Sequence, residues 1–230
     1  MLNKLTRRIS LFVHWHITKH FLHWSHRPKT PFPCETLSGW IMPSDLIQPD
    51  WVCYCAGVGE QIRFELALME KKGVHVFGFD PTPRAIQFVE RIDPPLPNFT
   101  LVPKGLWKED ITMRFFAPEK PDHVSHSIVE DDEGRAYFEA PCVTVATAMK
   151  ELGHDRLDLL KMNIEGAEDK VLESLEAANI FPTVVALTYE GHRPLAKARR
   201  WTKRLAKHGY QVAGADGWAV TYIRSPDHAG

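Results

Sequence analysis

Four absences frame this sequence of 230 residues. It has no run of 18 apolar residues, so no transmembrane helix is expected. It has four cysteines, Cys34, Cys53, Cys55 and Cys142, and no CxxC pair, which excludes a disulfide framework and fits a reducing cytosol. No GK[ST] triplet occurs, which excludes a P-loop. No acidic residue lies in the first 30 positions, where Lys4, Arg7, Arg8, Lys19, Arg27 and Lys29 sum to +6. The formal net charge is −1, so the other 200 residues carry −7.

An acidic body of that kind disfavours broad nucleic-acid binding, which depends on Lys and Arg neutralising phosphates. At 44% hydrophobic and 25% charged the composition is that of a globular chain, which excludes disorder, and the length suffices for one sizeable core. The basic N-terminal segment needs its own explanation. Leu2, Leu5, Ile9, Phe12, Val13, His16, His20 and Trp24 recur at helical spacing, and most of the cations lie off that stripe. Residues 1–27 are therefore expected to form a basic amphipathic helix. It either packs on the domain or lies on an anionic membrane with Trp15, Phe21 and Trp24 as anchors. Neither the apolar core nor the cleavage site of a secretory signal is present, so a cytoplasmic protein is expected, with peripheral membrane contact through this helix as the sharper alternative. His16 and His20 have i,i+4 spacing but no carboxylate or cysteine close in sequence, so no metal site is expected.

Pro28, Pro31, Pro33 and Pro43 mark residues 28–50 as an irregular lead-in. From 51 to 224 strand-like and helix-like segments alternate. Strands are read at 51–56, 74–79, 99–103, 111–117, 137–145, 157–163, 184–189, 210–215 and 218–223. Helices are read at 60–72, 84–91, 147–152, 167–178 and 195–208. Alternation of this kind implies a mostly parallel sheet with helices on both faces.

Two constellations carry chemistry. The first strand runs into Ala56-Gly57-Val58-Gly59-Glu60, and Asp80 ends the second strand 21 residues after Gly59. Two glycines allow a tight turn and close approach of a ligand, and an acid at that tip can accept both hydroxyls of a ribose. The dinucleotide fingerprint needs a third glycine where Ile62 stands, which disfavours a nicotinamide-linked oxidoreductase. Glu60 would repel a diphosphate but not a cationic sulfonium, so S-adenosylmethionine fits better. The second constellation is Lys161-Met162-Asn163-Ile164-Glu165-Gly166-Ala167-Glu168, in which a buried strand delivers Asn163 and Glu165 to the ligand-binding edge of the sheet. Glu165 and Glu168 can also simply complement the dipole of the following helix.

With these segments in hand, the chain resembles the FkbM family of S-adenosylmethionine-dependent methyltransferases. The resemblance rests on AGVGEQIRFELAL (56–68), FGFDPTPRAI (77–86), GLWKED (105–110), HVSHSIV (123–129) and LDLLKMNIEGAEDKVLESL (157–175), with GYQVAGADGWAVTYI (209–223) as the closing hairpin. It implies a class I methyltransferase fold: a Rossmann-like α/β three-layer sandwich around a seven-stranded, mostly parallel sheet with an antiparallel last strand. It also implies a cofactor over Ala56–Glu60, with ribose on Asp80 and adenine near Pro81, Gly105 and Leu106. The expected acceptor is a hydroxyl of a sugar, glycolipid or small metabolite. One departure stands out, because the family hallmark has Asp where this chain has Asn163. Asparagine cannot serve as a base. Glu165, Glu190, His126 and His192 remain as base candidates, and a weakened or non-catalytic binding protein is the alternative reading. Cys53 and Cys55 are read as core residues, and Trp40 and Trp107 as packing residues that could also stack on a ligand.

Overall fold

The computed structural model describes residues 20, 21, 25, 32–116, 137–164, 166–189 and 193–225. In chain order its elements are β1 (Cys34–Leu37), β2 (Trp40–Pro43), β3 (Val52–Ala56), α1 (Arg63–Lys72), β4 (His75–Phe79), α2 (Pro83–Glu90), β5 (Phe99–Val102), β6 (Gly105–Leu106), β7 (Ile111–Phe116) and β8 (Tyr137–Val143). There follow α3 (Val145–Leu152), β9 (Leu159–Met162), α4 (Glu168–Ala177), β10 (Val184–Thr188), α5 (Pro194–Ala206), β11 (Tyr210–Asp216) and β12 (Ala219–Arg224).

Seven strands form one sheet in the order β11-β12-β10-β9-β3-β4-β5. The pairings from β10 through β5 are parallel, and β12 runs antiparallel to both neighbours. This is the class I methyltransferase arrangement. The central strand β9 is buried along its whole length, as a parallel strand covered on both faces must be. Local signals set the helix ends. Thr82 caps α2 ahead of Pro83, Thr144 caps α3, and Gly73 and Gly153 end α1 and α3 in the left-handed conformation.

One face of the sheet is covered by α3, α4 and α5, whose Met149, Leu172, Leu175 and Trp201 pack on Tyr54, Leu160, Val185 and Tyr222. On the other face Phe64, Leu68 and Met69 of α1 share a core with Cys53, Cys55, Leu159 and Ala186. The β1–β2 hairpin covers the rest of that face, with Trp40 and Met42 in the same core as Ala213 and Ile223. Residues 34–43 are thus a hairpin and not the irregular lead-in expected from their prolines. Its turn, Ser38-Gly39, has positive φ at both positions, as a type I′ hairpin turn requires.

Two further expectations shift. The first helix begins at Arg63 and not at Glu60, so Glu60 belongs to the loop. The strands at 111–116 and 137–143 leave the main sheet and join β6 in a three-stranded sheet of their own, in the order β6-β8-β7. Of residues 1–31, His20, Phe21 and Ser25 are described and helical, and the Phe21 ring lies 5.4 Å from the guanidinium carbon of Arg199 on α5. The rest of the expected amphipathic helix, Trp15 and Trp24 included, lies outside the described residues.

Candidate active site

A cleft of about 690 Å³ opens at the C-terminal edge of the parallel strands. The glycine loop after β3 forms its floor. Gly57 N–H donates to the carbonyl of Phe79 at 2.9 Å, and Asn163 N–H donates to that of Ala56 at 3.0 Å, so the ends of β3, β4 and β9 stay knitted beyond the sheet. Gly57 has φ +84, and a Cβ there would lie 1.9 Å from the carbonyl oxygen of Asn163. Only glycine lets the loop cross the end of β9 at this distance. Gly59, at φ +56, faces open space, with no atom within 4 Å of where a Cβ would stand. Ala56 and Val58 are buried beneath the loop.

Asp80 ties the loop to the start of α2. Its Oδ2 accepts from Gly59 N–H at 2.8 Å, and its Oδ1 accepts from Thr82 N–H at 2.9 Å and from the Thr82 hydroxyl at 2.6 Å. A carboxylate has about four lone-pair sites, and three are in use. The expectation that Asp80 takes both ribose hydroxyls is therefore corrected: it retains capacity for one. Pro81, Gly105, Leu106, Phe115 and Cys142 line the wall beyond it. Burial pushes the Cys142 thiol up to about 11, so it is a neutral part of that wall. Cys53 and Cys55 are fully buried and burial raises both thiols, in keeping with core residues.

The other two acids of the cleft are paired. Glu60, expected to discriminate by its charge, is bonded to Arg84 at 2.7 Å, which offsets its repulsion of an anion. Glu65 and Lys161, both buried, face each other at 3.3 Å. Lys161 Nζ also reaches the carbonyl of Gly57 at 3.5 Å and lies 5.4 Å from the Trp40 ring. Among the described residues Asp80 is the acid of the cleft without a cationic partner. Glu65 and the hairpin residue Ser38 have no part in the sequence-based site, and Lys161 enters it only as a member of the second constellation, with no role of its own. The available signal was a lysine inside the run Leu159-Leu160-Lys161-Met162, since a buried lysine needs a partner.

Asn163 stands exposed on the cleft wall just past β9. Its Oδ1 accepts the Thr188 hydroxyl at 2.9 Å, which leaves the two Nδ2 donors for the cleft. Beneath it, the buried Glu168 carboxylate accepts from Ile164 N–H at 2.9 Å and from Gly166 N–H at 2.8 Å. Burial raises its pKa against those bonds. Glu168 is thus the clamp that shapes the loop after β9, more specific than the helix-dipole role available from sequence. The other proposed bases, His126, Glu165, Glu190 and His192, lie outside the described residues. Trp40 packs on Phe64 at 5.9 Å, as expected of a packing residue, and also lines the cleft, while Trp107 packs in the small sheet.

The sequence carries the methyltransferase FkbM domain, matched over residues 57–212, which takes in the glycine loop, Asp80, Lys161 and Asn163. The chain belongs to the FkbM methyltransferase family. No curated protein matches the sequence. Among solved structures it is similar to an rRNA methylase from Streptococcus thermophilus, at 11% identity and a TM-score of 0.47, over 79% of this chain and 90% of that one. It is also similar to a precorrin-6y C5,15-methyltransferase from Geobacter metallireducens GS-15, at 16% identity and a TM-score of 0.43, over 79% of this chain and 85% of that one. In this FkbM chain the buried side chains of Lys161 and Glu168, on either side of Asn163, both make polar contacts.

Proposed function

We propose that this FkbM chain transfers a methyl group from S-adenosylmethionine to a hydroxyl of a sugar, glycolipid or small metabolite. The observation that carries the reading is the convergence of the open glycine loop, the Asp80 carboxylate and Asn163 on one cleft. The donor set suits such a cofactor. Space over Gly59 admits a close-packed nucleoside, and Asp80 has one acceptor position left for a ribose hydroxyl. The uncharged wall of Pro81, Leu106, Phe115 and Cys142 suits an aromatic base. When bound, the cofactor supplies an electrophilic methyl group for in-line displacement.

The chain's own residues do the positioning. Asp80 and the loop fix the nucleoside, and the Nδ2 of Asn163 offers hydrogen bonds to an acceptor oxygen at the edge of β9. Holding two reactants in line can supply a large share of the acceleration, on the order of 7–11 kcal/mol in well-oriented systems. Loss of a carboxylate at 163 therefore need not abolish transfer. Glu165, Glu190, His192 and His126 are the proposed bases for the acceptor proton. An acceptor-library screen with radiolabelled methyl donor tests the reading: label is expected in a hydroxyl compound. Label found only in nucleic acid or protein would overturn it.

A second reading has a specific observation behind it. Asn163 is a neutral amide held by the Thr188 hydroxyl, and an amide at 163 takes no proton near neutral pH. A chain that keeps the cofactor cleft but turns over slowly, or only binds, is consistent with that. Restoring the family carboxylate by Asn163→Asp separates the two.

A further inference from the structure

The cleft has two distinct ends on either side of the glycine loop. At the Gly59 end lie Asp80 and the apolar wall suited to a nucleoside. At the Gly57 end lie Lys161 and Glu65, with Trp40 and Phe64 against the lysine ammonium at 5.4 and 5.8 Å. The pair is almost wholly buried, with side chains 6% and 1% exposed, and both residues line the cleft.

Its geometry is unusual for an ion pair with so much to gain from closing. The exposed lysine–glutamate pairs Lys104–Glu151, Lys71–Glu35, Lys108–Glu109 and Lys170–Glu173 stand at 2.6, 2.8, 3.1 and 3.1 Å, all shorter than this buried one. Lys161 stands 3.3 Å from Glu65 and 3.5 Å from the Gly57 carbonyl, both longer than the 2.7–2.9 Å or so usual for charge-assisted bonds. An ammonium has three donors, and these two long bonds leave one unused among the described residues. Taking two charges out of water is costly unless good geometry repays it, and here the partners alone do not supply that geometry.

We infer that Lys161 and Glu65 recognise the amino-acid end of the methyl donor. Lys161 Nζ takes the α-carboxylate, and Glu65 faces the α-ammonium, so the zwitterion completes a four-charge cluster that is neutral overall. The inference rests on the S-adenosylmethionine reading above. It assigns the pair a task that an uncharged nucleoside alone cannot satisfy, and so makes it a specificity determinant for a cofactor with an amino-acid tail.

Calorimetric titration with S-adenosylhomocysteine and with 5′-methylthioadenosine isolates this end, because the two thioethers share the nucleoside and differ in the amino-acid tail. The wild-type chain is expected to prefer S-adenosylhomocysteine by tenfold or more, the worth of about one charge-assisted hydrogen bond. In Lys161→Met that preference should collapse while the affinity for 5′-methylthioadenosine stays within about twofold. The double variant Lys161→Met/Glu65→Met, which leaves no unpaired buried charge, should behave in the same way. Equal affinities in the wild type would overturn the inference without any variant. So would loss of both ligands in equal measure in variants that keep the wild-type circular dichroism, since a pair that merely props up the loop would give that result. Failure of the wild type to bind either ligand would instead remove the cofactor reading itself, and this inference with it.

Discussion

Alanine at Gly57 and alanine at Gly59 should have opposite consequences, although the two glycines share one loop. A Cβ at 57 would sit 1.9 Å from the Asn163 carbonyl oxygen and 2.8 Å from its carbon, whereas ordinary contact begins at 3.4 Å. The obstructing atoms are backbone, so no rotamer change relieves the clash, and either the loop or the end of β9 must shift. Overpacking of this kind costs about 1–3 kcal/mol. The left-handed conformation at φ +84 adds about 1–2 kcal/mol for a residue with a side chain. Together that is roughly 2–5 kcal/mol, a large part of the 5–15 kcal/mol or so that holds a typical domain together. Gly59 at φ +56 meets nothing, so Gly59→Ala should cost only about 1–2 kcal/mol. Urea denaturation followed by circular dichroism reads both values. The order should reverse in binding: Gly59→Ala stays folded but places a methyl group where the nucleoside must approach, and its affinity for S-adenosylhomocysteine should fall at least about tenfold. Equal stability losses for the two variants, or a Gly57→Ala protein as stable as the wild type, would refute the geometry assigned to this loop.

Asp80→Asn should loosen both the glycine loop and the α2 cap, lowering stability by about 1–3 kcal/mol through a donor left facing a donor, and should weaken S-adenosylhomocysteine in parallel. Unchanged melting would mean that the carboxylate is not the tie described. Asn163→Asp should change turnover by less than about tenfold if positioning dominates; a gain of about a hundredfold or more, the range of general base catalysis, would favour the weakened-enzyme reading. The His75–Phe77–His154 ring cluster at the far end of β3 and β4 should make stability sensitive to pH. Burial lowers the pKa of both rings, with His75 further lowering that of His154. The neutral forms therefore favour the fold, and their contribution is present above the ordinary histidine value near 6.5 and lost as pH falls through the lowered values. Thermal melts between pH 8 and pH 5 should show a slope that His154→Gln reduces; an identical slope in the variant would contradict this. Full-length protein should sediment with anionic liposomes more than a chain lacking residues 1–27, and equal sedimentation would leave the basic segment with packing as its only role.

Much of the scaffold is legible in the sequence because its elements are punctuated by residues with a single local meaning. Gly73 and Gly153 stop helices, and the short apolar run before Asn163 reads as an inner strand. The β1–β2 hairpin escapes detection because Pro33 and Pro43 flank it, and proline density reads as irregular chain. Its own turn signal, Ser38-Gly39, is short, and what makes the hairpin stable is tertiary, with Ile41 lying against Gly214, where even one added Cβ would come within 2.8 Å. The strands at 111–116 and 137–143 have the right pattern, but periodicity cannot say which sheet a strand joins. At the site, sequence spacing finds the glycine loop and Asp80. It cannot show that Asp80 is already occupied by Gly59 and Thr82, or that Glu60 is offset by Arg84, because both partners are set by how the loops fold back. Lys161 and Glu65 are 96 positions apart, and only the pairing of β9 beside β3 under α1 brings them together.

Equilibrium dialysis of the folded, full-length chain against radiolabelled S-adenosylmethionine tests the central claim most directly. Saturable binding of one molecule per chain, displaced by S-adenosylhomocysteine and not by NAD, is the result predicted. Absence of saturable binding at millimolar ligand, by protein whose circular dichroism shows it folded, would contradict the account.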